Sequence, residues 1–461
     1  MKQDKDLNYN LPSGFDIELI PSEKRLELHL LNIISTVFES YGFTPIETPA
    51  VERLEILQAK GNQGDNIIYE INPIVTSSED DESKPGKSDR GLKFDQTVPL
   101  AAYIARHLND LVFPFSRYQM DMVFRGERAK KGRYRQFRQC DIDVIGRQDL
   151  SIFYDAQMPA IIAEIFSRIN IGEFIIRINN KKILQGLFEF FEVEAEKIKL
   201  CIQTIDTLEK VGKQRVKQDL QLQGLSEEQS GQIISFIELK GTVDEVLNFL
   251  KQKSSIIEKS SIFAAGVSEL QSVIDGIRKL NVPETQYCID LSIARGLNYY
   301  TGTIYETTLI DHESIGSICS GGRYDNLVGM FVGERMPGVG ISIGLTRLLR
   351  KLLDNNILAP MSANPAQVMV LNLEEELIGF YLEISKKMRD QGIRVLTEFK
   401  SIKIGKQLKK ADKLGISICL IIGSEEYKNN SCRIKMLKTG EQIDTSIDNL
   451  NDELQKRLKL N

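Results

Sequence analysis

Histidine is nearly absent from this chain: only His29, His107 and His312 occur in 461 residues. His312 stands between Asp311 and Glu313, in a polar turn with neither a nucleophile nor metal-ligand spacing nearby. A histidine-based triad and a zinc enzyme are therefore both disfavoured. The six cysteines, Cys140, Cys201, Cys288, Cys319, Cys419 and Cys432, are scattered without metal-ligand or disulfide spacing. They read as small apolar residues or weakly polar site linings, and a cytoplasmic location is expected. No run approaches the ~20 apolar residues of a membrane span. The opening MKQDKDLNYNLPSGF carries Asp4 and Asp6, which is not the pattern of a secretory leader. No internal repeat is present. Any catalysis is left to arginines, carboxylates and a bound ion.

What is present is ordinary for a soluble globular protein: 42% apolar and 27% charged residues. The length favours two or three domains over one core. A net charge of −5 argues against indiscriminate coating of nucleic acid, but local charge is what a phosphate feels.

Along the chain, Leu26, Leu30, Ile33, Ile34 and Val37 make an apolar stripe that predicts a helix over 21–42. An extended segment follows and ends at Glu47–Thr48–Pro49. Its prolines suit only a sheet edge or bulge, and hence an interface. Residues 79–91 are a polar hairpin or loop. Residues 92–98 and 115–125 read as strands with a helix over 99–107 between them. Residues 122–146 read as two antiparallel strands joined by a basic loop over 129–134, with a helix over 155–170 beyond. Residues 181–275 are amphipathic and rich in Lys, Glu and Gln, which suggests an inserted helical module. Strand signals resume at 287–293 and 303–309. Residues 353–365 hold Pro360 and Pro365 and read as a linker. Strand and helix then alternate over 367–422, the pattern of a small α/β domain with a mostly parallel sheet.

Chemistry concentrates in FRGERAKKGRYRQFRQ, where Arg125, Arg128, Lys130, Lys131, Arg133, Arg135 and Arg138 oppose one acid, Glu127. On a strand Arg125 and Glu127 share a face. Such a pair can grip a phosphate and an adenine amine, while Phe137 offers a flat face to a base. The tip of the loop could meet a nucleic-acid backbone. The hairpin reads equally as a solvated basic hairpin with a structural Arg–Glu pair. SGGRYDNL (320–327) lets a backbone approach a ligand closely, or is simply a turn. Gly338, Gly340 and Gly344 lie along a strand running into a helix. Glycine weakens a strand, so three of them suggest something flat lying against it, with Arg347 close by.

In order, residues 42–52, 124–146 and 338–349 resemble motifs 1, 2 and 3 of the class II aminoacyl-tRNA synthetases. RGLNYYTG (295–302) followed by SGGRYD (320–325) is similar to the signature segments of the histidyl-tRNA synthetase family. LKFDQTVPL (92–100) resembles that family's segment for the amino group of histidine. The resemblance spans essentially the whole chain, including KIGKQLKKADKLG (403–415).

The resemblance implies an α+β fold: a class II antiparallel sheet flanked by helices, a helical insertion and a C-terminal α/β anticodon-binding domain. The implied domains are 1–180 and 276–355 (catalytic), 181–275 (insertion) and 366–461 (anticodon-binding). It implies ATP-dependent activation of L-histidine to the adenylate and transfer to the 3′ end of tRNA(His), with ATP as substrate, Mg²⁺, and a homodimer.

By resemblance Arg125 holds the α-phosphate, Glu127 the adenine amine, Phe137 the adenine face and Arg347 the γ-phosphate. Asp95, Thr97 and Gln139 surround the α-amino group. Arg295 reaches the α-phosphate and carboxylate from the opposite side, and Arg295 with Arg125 is the catalytic pair. Asp143 and Tyr300 bracket the imidazole. Lys131 and Arg133 at the hairpin tip, and Lys406 and Lys409 in the last domain, face tRNA, although crowded lysines are most often a solvated face. No protein side chain is assigned to a metal.

Some positions depart from the family pattern: Asn298 for Asp, Thr346 for an acid, Gly126 and Ala129 for larger residues, and Asp143 for Glu. Two other readings stay open. One is a non-catalytic regulatory paralogue of histidine biosynthesis; the other is a synthetase for proline, threonine or glycine.

Overall fold

The computed structural model describes residues 9–59, 67–72, 88–128, 134–294 and 299–459. The chain forms two compact units, one over Leu30–Leu358 and the other over Ala359–Asn461 with Glu18–His29.

The first unit is built on an eight-stranded sheet. Its order is Thr44–Pro45, Phe115–Phe124, Gln136–Ile145, Gly338–Ile343, Cys319–Tyr324, Thr303–Leu309, Phe174–Asn180 and Tyr287–Ile289. The outermost pair at each end is parallel and the interior is antiparallel. Alternation along the strands explains which way the sheet faces. Cys140, Ile142, Val144, Val339, Ile341 and Ile343 are all buried, and the helices Phe153–Ile169 and Leu345–Asp354 pack against these central strands. Each such aliphatic side chain contributes about 1.5–3 kcal/mol on burial. The polar residues between them are left to the opposite face, where the site forms.

Thr44–Pro45 sits at the sheet edge with both residues exposed, as its proline requires. The helix before it covers Pro21–Ser40. From Lys181 to Lys279 every regular element is helical, as the composition of 181–275 predicts. Residues 79–87 of the expected polar loop lie outside the described residues.

Two expectations are corrected here. Residues 92–98 are not a strand: pairing stops at Leu92 and a helix covers Thr97–Arg106. Asp95, one residue before the N-cap Gln96, favours the helix start, because its Oδ1 accepts the otherwise unpaired Val98 backbone N–H of the first turn at 3.0 Å. SGGR is not a turn but part of the Cys319–Tyr324 strand.

The second unit carries a five-stranded sheet ordered Val395–Thr397, Val368–Val370, Ile418–Ile421, Ser431–Met436, Gln442–Ser446. The first three strands are parallel and the last two add antiparallel. The helix Ile404–Lys413 lies between the Val395–Thr397 and Ile418–Ile421 strands in sequence.

Candidate active site

The register of the hairpin builds the site. Arg117 pairs with Asp143, Gln119 with Asp141 and Asp121 with Gln139 across the two strands. Phe137, Gln139, Asp141 and Asp143 therefore share one face of the Gln136–Ile145 strand. The next strand sets Gly340 against Asp143 and Ser342 against Asp141. The one beyond sets Tyr324 against Gly338 and Gly322 against Gly340. The site side chains on these strands line a cavity of about 620 Å³ that also takes in Asp95, Thr97, Arg125, Glu127, Tyr300 and Arg347.

Nine residues singled out from sequence thus meet in one cavity: Asp95, Thr97, Arg125, Glu127, Phe137, Gln139, Asp143, Tyr300 and Arg347. Arg125 and Glu127 lie just past the end of the Phe115–Phe124 strand rather than on it. The Arg125 Nε donates to the Phe94 carbonyl at 3.1 Å, and its guanidinium stands 5.0 Å from the Phe137 ring centre. Arg347, in the first turn of its helix, donates from Nη2 to the Ile315 carbonyl at 2.6 Å. Arg295, Asn298, Lys131 and Arg133 lie outside the described residues. Lys406 and Lys409 are exposed on the Ile404–Lys413 helix of the second unit.

The polar floor holds residues that sequence reasoning missed. Arg117 is fully buried, and its Nη2 pairs with Asp143 Oδ2. Tyr324 donates its phenol to Asp143 Oδ1 at 2.7 Å. Asp143 is thus held from two sides, and a carboxylate still has lone pairs left to accept more. Gln139 donates through Nε2 to Ser342 Oγ at 2.7 Å, and Ser342 donates in turn to Asp141 Oδ1. The period-two spacing of positions 137, 139, 141 and 143 is the signal that could have found Asp141 from the sequence.

Burial pushes the Asp141 carboxyl up to about 7, against the Arg117 charge and the Ser342 hydrogen bond, with Asp143 and Asp95 adding to the rise. Burial also raises the Tyr300 phenol, helped by the nearby carboxylates, so it stays a proton donor. Cys319 lines the cavity as a buried neutral thiol raised by burial.

The glycine strand carries something against it, but most of that is the protein itself. A Cβ on Gly340 would stand 2.2 Å from Asp143 Oδ1, and one on Gly338 would stand 2.5 Å from the Tyr324 ring. Of the three, Gly344 alone faces open space. Thr346, the residue replacing an acid, accepts the Arg138 backbone N–H at 2.8 Å through Oγ1. It ties the return strand of the hairpin to the helix of Arg347, a role that needs only an acceptor oxygen. Arg323 of SGGRYD binds the buried Asp155 carboxylate through Nε and Nη2, which locks its strand to the Phe153–Ile169 helix.

Among the described residues no group of three His, Cys, Asp or Glu side chains is placed to hold a metal. No helix of the described residues is long and apolar enough to cross a membrane.

Residues 17–348 match the histidyl-tRNA synthetase family, and residues 367–457 match the anticodon-binding domain family. A histidine–tRNA ligase of Nostoc sp. (strain PCC 7120) is 58% identical over 99% of both chains. One from Clostridium tetani is 42% identical over 94% of this chain and 95% of its own. The crystal structure of histidyl-tRNA synthetase from Nostoc sp. PCC 7120 superposes with a TM-score of 0.90 at 56% identity, covering 98% of this chain and 100% of that one. An ATP phosphoribosyltransferase regulatory subunit/histidyl-tRNA synthetase from Bacillus halodurans, 17% identical with a TM-score of 0.71 over 88% of this chain and 97% of its own, shares the fold. The match in both units and the identity over the full length decide between these relatives: this chain belongs to the histidyl-tRNA synthetase family.

Proposed function

We propose a division of labour in the reaction of this ligase, which activates L-histidine with ATP to histidyl-adenylate and transfers histidine to the 3′ end of tRNA(His). The observation that carries it is the single cavity in which Arg125, Glu127, Phe137 and Arg347 stand beside Asp95, Thr97, Gln139, Asp143 and Tyr300. The first set suits a nucleotide: guanidinium groups for phosphates, a carboxylate for the adenine amine and a ring for its face. The second suits histidine, with acceptors for the α-ammonium and a donor–acceptor pair for the imidazole.

A neutral imidazole has one N–H and one bare nitrogen. Asp143, pinned by Arg117 and Tyr324, takes the N–H. The phenol of Tyr300 gives its proton to the bare nitrogen. An amino acid lacking either nitrogen strands a buried polar partner, which rejects it more strongly than shape does.

In the first step a histidine carboxylate oxygen attacks the α-phosphorus, the bond to the β-phosphate breaks, and pyrophosphate leaves. Two anions must meet, and Arg125 with Arg295 offsets that repulsion as charge builds on the transferring group. In the second step a terminal ribose hydroxyl attacks the acyl carbon and AMP leaves. Proximity carries most of that step, because no side-chain base stands out. Mg²⁺ would come with the nucleotide, held by phosphate oxygens; the described residues offer no three-residue cage for it.

Lys131 and Arg133 would approach the acceptor end, Lys406 and Lys409 the anticodon arm, and the 181–275 helices would close over the acceptor arm. The exposed sheet edge at Thr44–Pro45 supports a homodimer paired through residues 42–52, and the free cysteines fit a cytoplasmic location. A crystal structure with histidine and a non-hydrolysable ATP analogue tests the assignment. It should show the imidazole between Asp143 and Tyr300 and the adenine on Phe137; an imidazole bound elsewhere in the cavity would refute it.

A further inference from the structure

Gln139 has a choice that its neighbours make for it. A side-chain amide can present its oxygen or its nitrogen, and the two are nearly symmetric in shape. Here the choice is forced from two residues away. Ionised Asp141 can only accept, so the Ser342 hydroxyl must donate to it. The Ser342 oxygen then has lone pairs but no proton to offer, and only the Gln139 nitrogen can satisfy it, at 2.7 Å. The Gln139 Oε1 is thereby turned away from Ser342, and it is buried without a hydrogen-bond partner among the described residues. The side chain lines the cavity where the amino acid is assigned.

We propose that Asp141 and Ser342 are positioning residues that set the polarity of the Gln139 amide, aiming its carbonyl oxygen at the α-ammonium of the bound amino acid. The proposal rests on the assignment of Gln139 to that ammonium. Reversal of the chain is its physical corollary. A proton on Asp141 lets the carboxyl donate to Ser342, Ser342 donate to Gln139 Oε1, and the amide turn its NH₂ group toward the ammonium. An attractive contact becomes a repulsive one without any residue leaving its place.

The charged and titratable groups facing Asp141 are Arg117 from the outgoing strand, Asp143 from its own strand, Asp95 ahead of the Thr97–Arg106 helix, Tyr300, and Cys319 from the strand beyond. With the carboxyl raised to about 7, the productive polarity is enforced above that pH, and below it the neutral carboxyl permits either polarity.

Moving the carboxylate from one end of the relay to the other tests it. Asp141→Asn allows either polarity and should raise the KM for histidine in pyrophosphate exchange roughly tenfold, as expected for a weakened hydrogen bond to a charged group. Adding Gln139→Glu restores a fixed direction. In that double variant the amide introduced at position 141 donates to Ser342, and Ser342 donates to the carboxylate introduced at position 139. The relay then runs in reverse and again shows an oxygen to the ammonium. The double variant should return to within about threefold of the parent KM; a double variant no better than Asp141→Asn overturns the proposal. Ser342→Ala should match Asp141→Asn, and a wild-type KM there also overturns it. Imidazolepropionate, which lacks the α-ammonium, should inhibit the parent and Asp141→Asn equally; a parallel loss for this analogue shows a merely structural role and refutes the relay. Should Gln139→Ala leave the histidine KM unchanged, the fault lies in the assignment of Gln139 itself, and the relay falls with it.

Discussion

Gly340→Ala adds one methyl group at a place where the sheet has almost no room. The new Cβ would stand 2.2 Å from Asp143 Oδ1, 2.4 Å from the Ile142 carbonyl and 2.7 Å from Asp143 Cγ. The Ile142 carbonyl belongs to the paired strand and moves only with the sheet. Asp143 has little freedom to retreat, because Arg117 grips one oxygen and Tyr324 the other. Relief therefore means either spreading the two strands or breaking the hold on Asp143. Overpacking of this kind costs about 1–3 kcal/mol, and displacing the carboxylate removes the hydrogen bond proposed for the imidazole, worth about 1–3 kcal/mol. The expected result is a melting temperature lowered by several degrees and a histidine KM raised roughly tenfold, with the ATP KM little changed. Gly344→Ala is the control, since its Cβ would meet nothing within 4 Å, and its melting temperature should match the parent. Thermal unfolding with pyrophosphate exchange at varied histidine and varied ATP gives both readouts. A Gly340→Ala variant with parental stability and histidine KM would refute the reasoning about this strand.

Three further outcomes are expected. Arg117→Leu removes one partner of a buried ion pair and should cost about 3–5 kcal/mol in chemical denaturation of the first unit; a loss below about 1 kcal/mol would mean Asp143 is held by other groups. Burial raises Asp141 from 3.8 to about 7, so its ionisation opposes folding: the neutral form is favoured in the folded chain, and stability falls as pH rises from about 4 through 7. That gap corresponds to roughly 4 kcal/mol, so Asp141→Asn should stabilise the ligand-free protein more at about pH 8 than at about pH 5, and equal effects at both would contradict the assignment. Charge reversal at Lys406 and Lys409, both exposed on one helix, should weaken tRNA binding severalfold and leave histidine-dependent exchange intact; loss of both activities would indicate misfolding instead.

The hairpin was legible because its chemistry and its geometry have the same period. Alternate residues of QFRQCDID carry ring, amide and two carboxylates, and alternation on a strand puts them on one face. The order of motifs along the chain then pointed to the walls of the cavity, and Asp95, Tyr300 and Arg347 all line it. Residues 92–98 misled because LKFDQTV carries apolar and β-branched residues in near alternation, whereas one local hydrogen bond, Asp95 to Val98, commits it to a helix start. The final hairpin of the second unit was missed although Cys432, Ile434 and Met436 alternate as buried residues before a Thr–Gly turn. Arg117 and Ser342 were not legible at all. Their roles depend on register across three strands, which no single segment contains.

The glycines carry the same lesson in reverse. Their spacing does report a surface under close approach, but not by what. For Gly338 and Gly340 the approaching groups are Tyr324 and Asp143, side chains that shape the pocket rather than a ligand that fills it.

The most direct test of the central claim is pyrophosphate exchange into ATP by the pure protein, run with each of the standard amino acids in turn. Histidine alone should drive exchange, and Tyr300→Phe should depress it by raising the histidine KM. Exchange driven by proline, threonine or glycine but not histidine, or no exchange with any amino acid, would contradict the account.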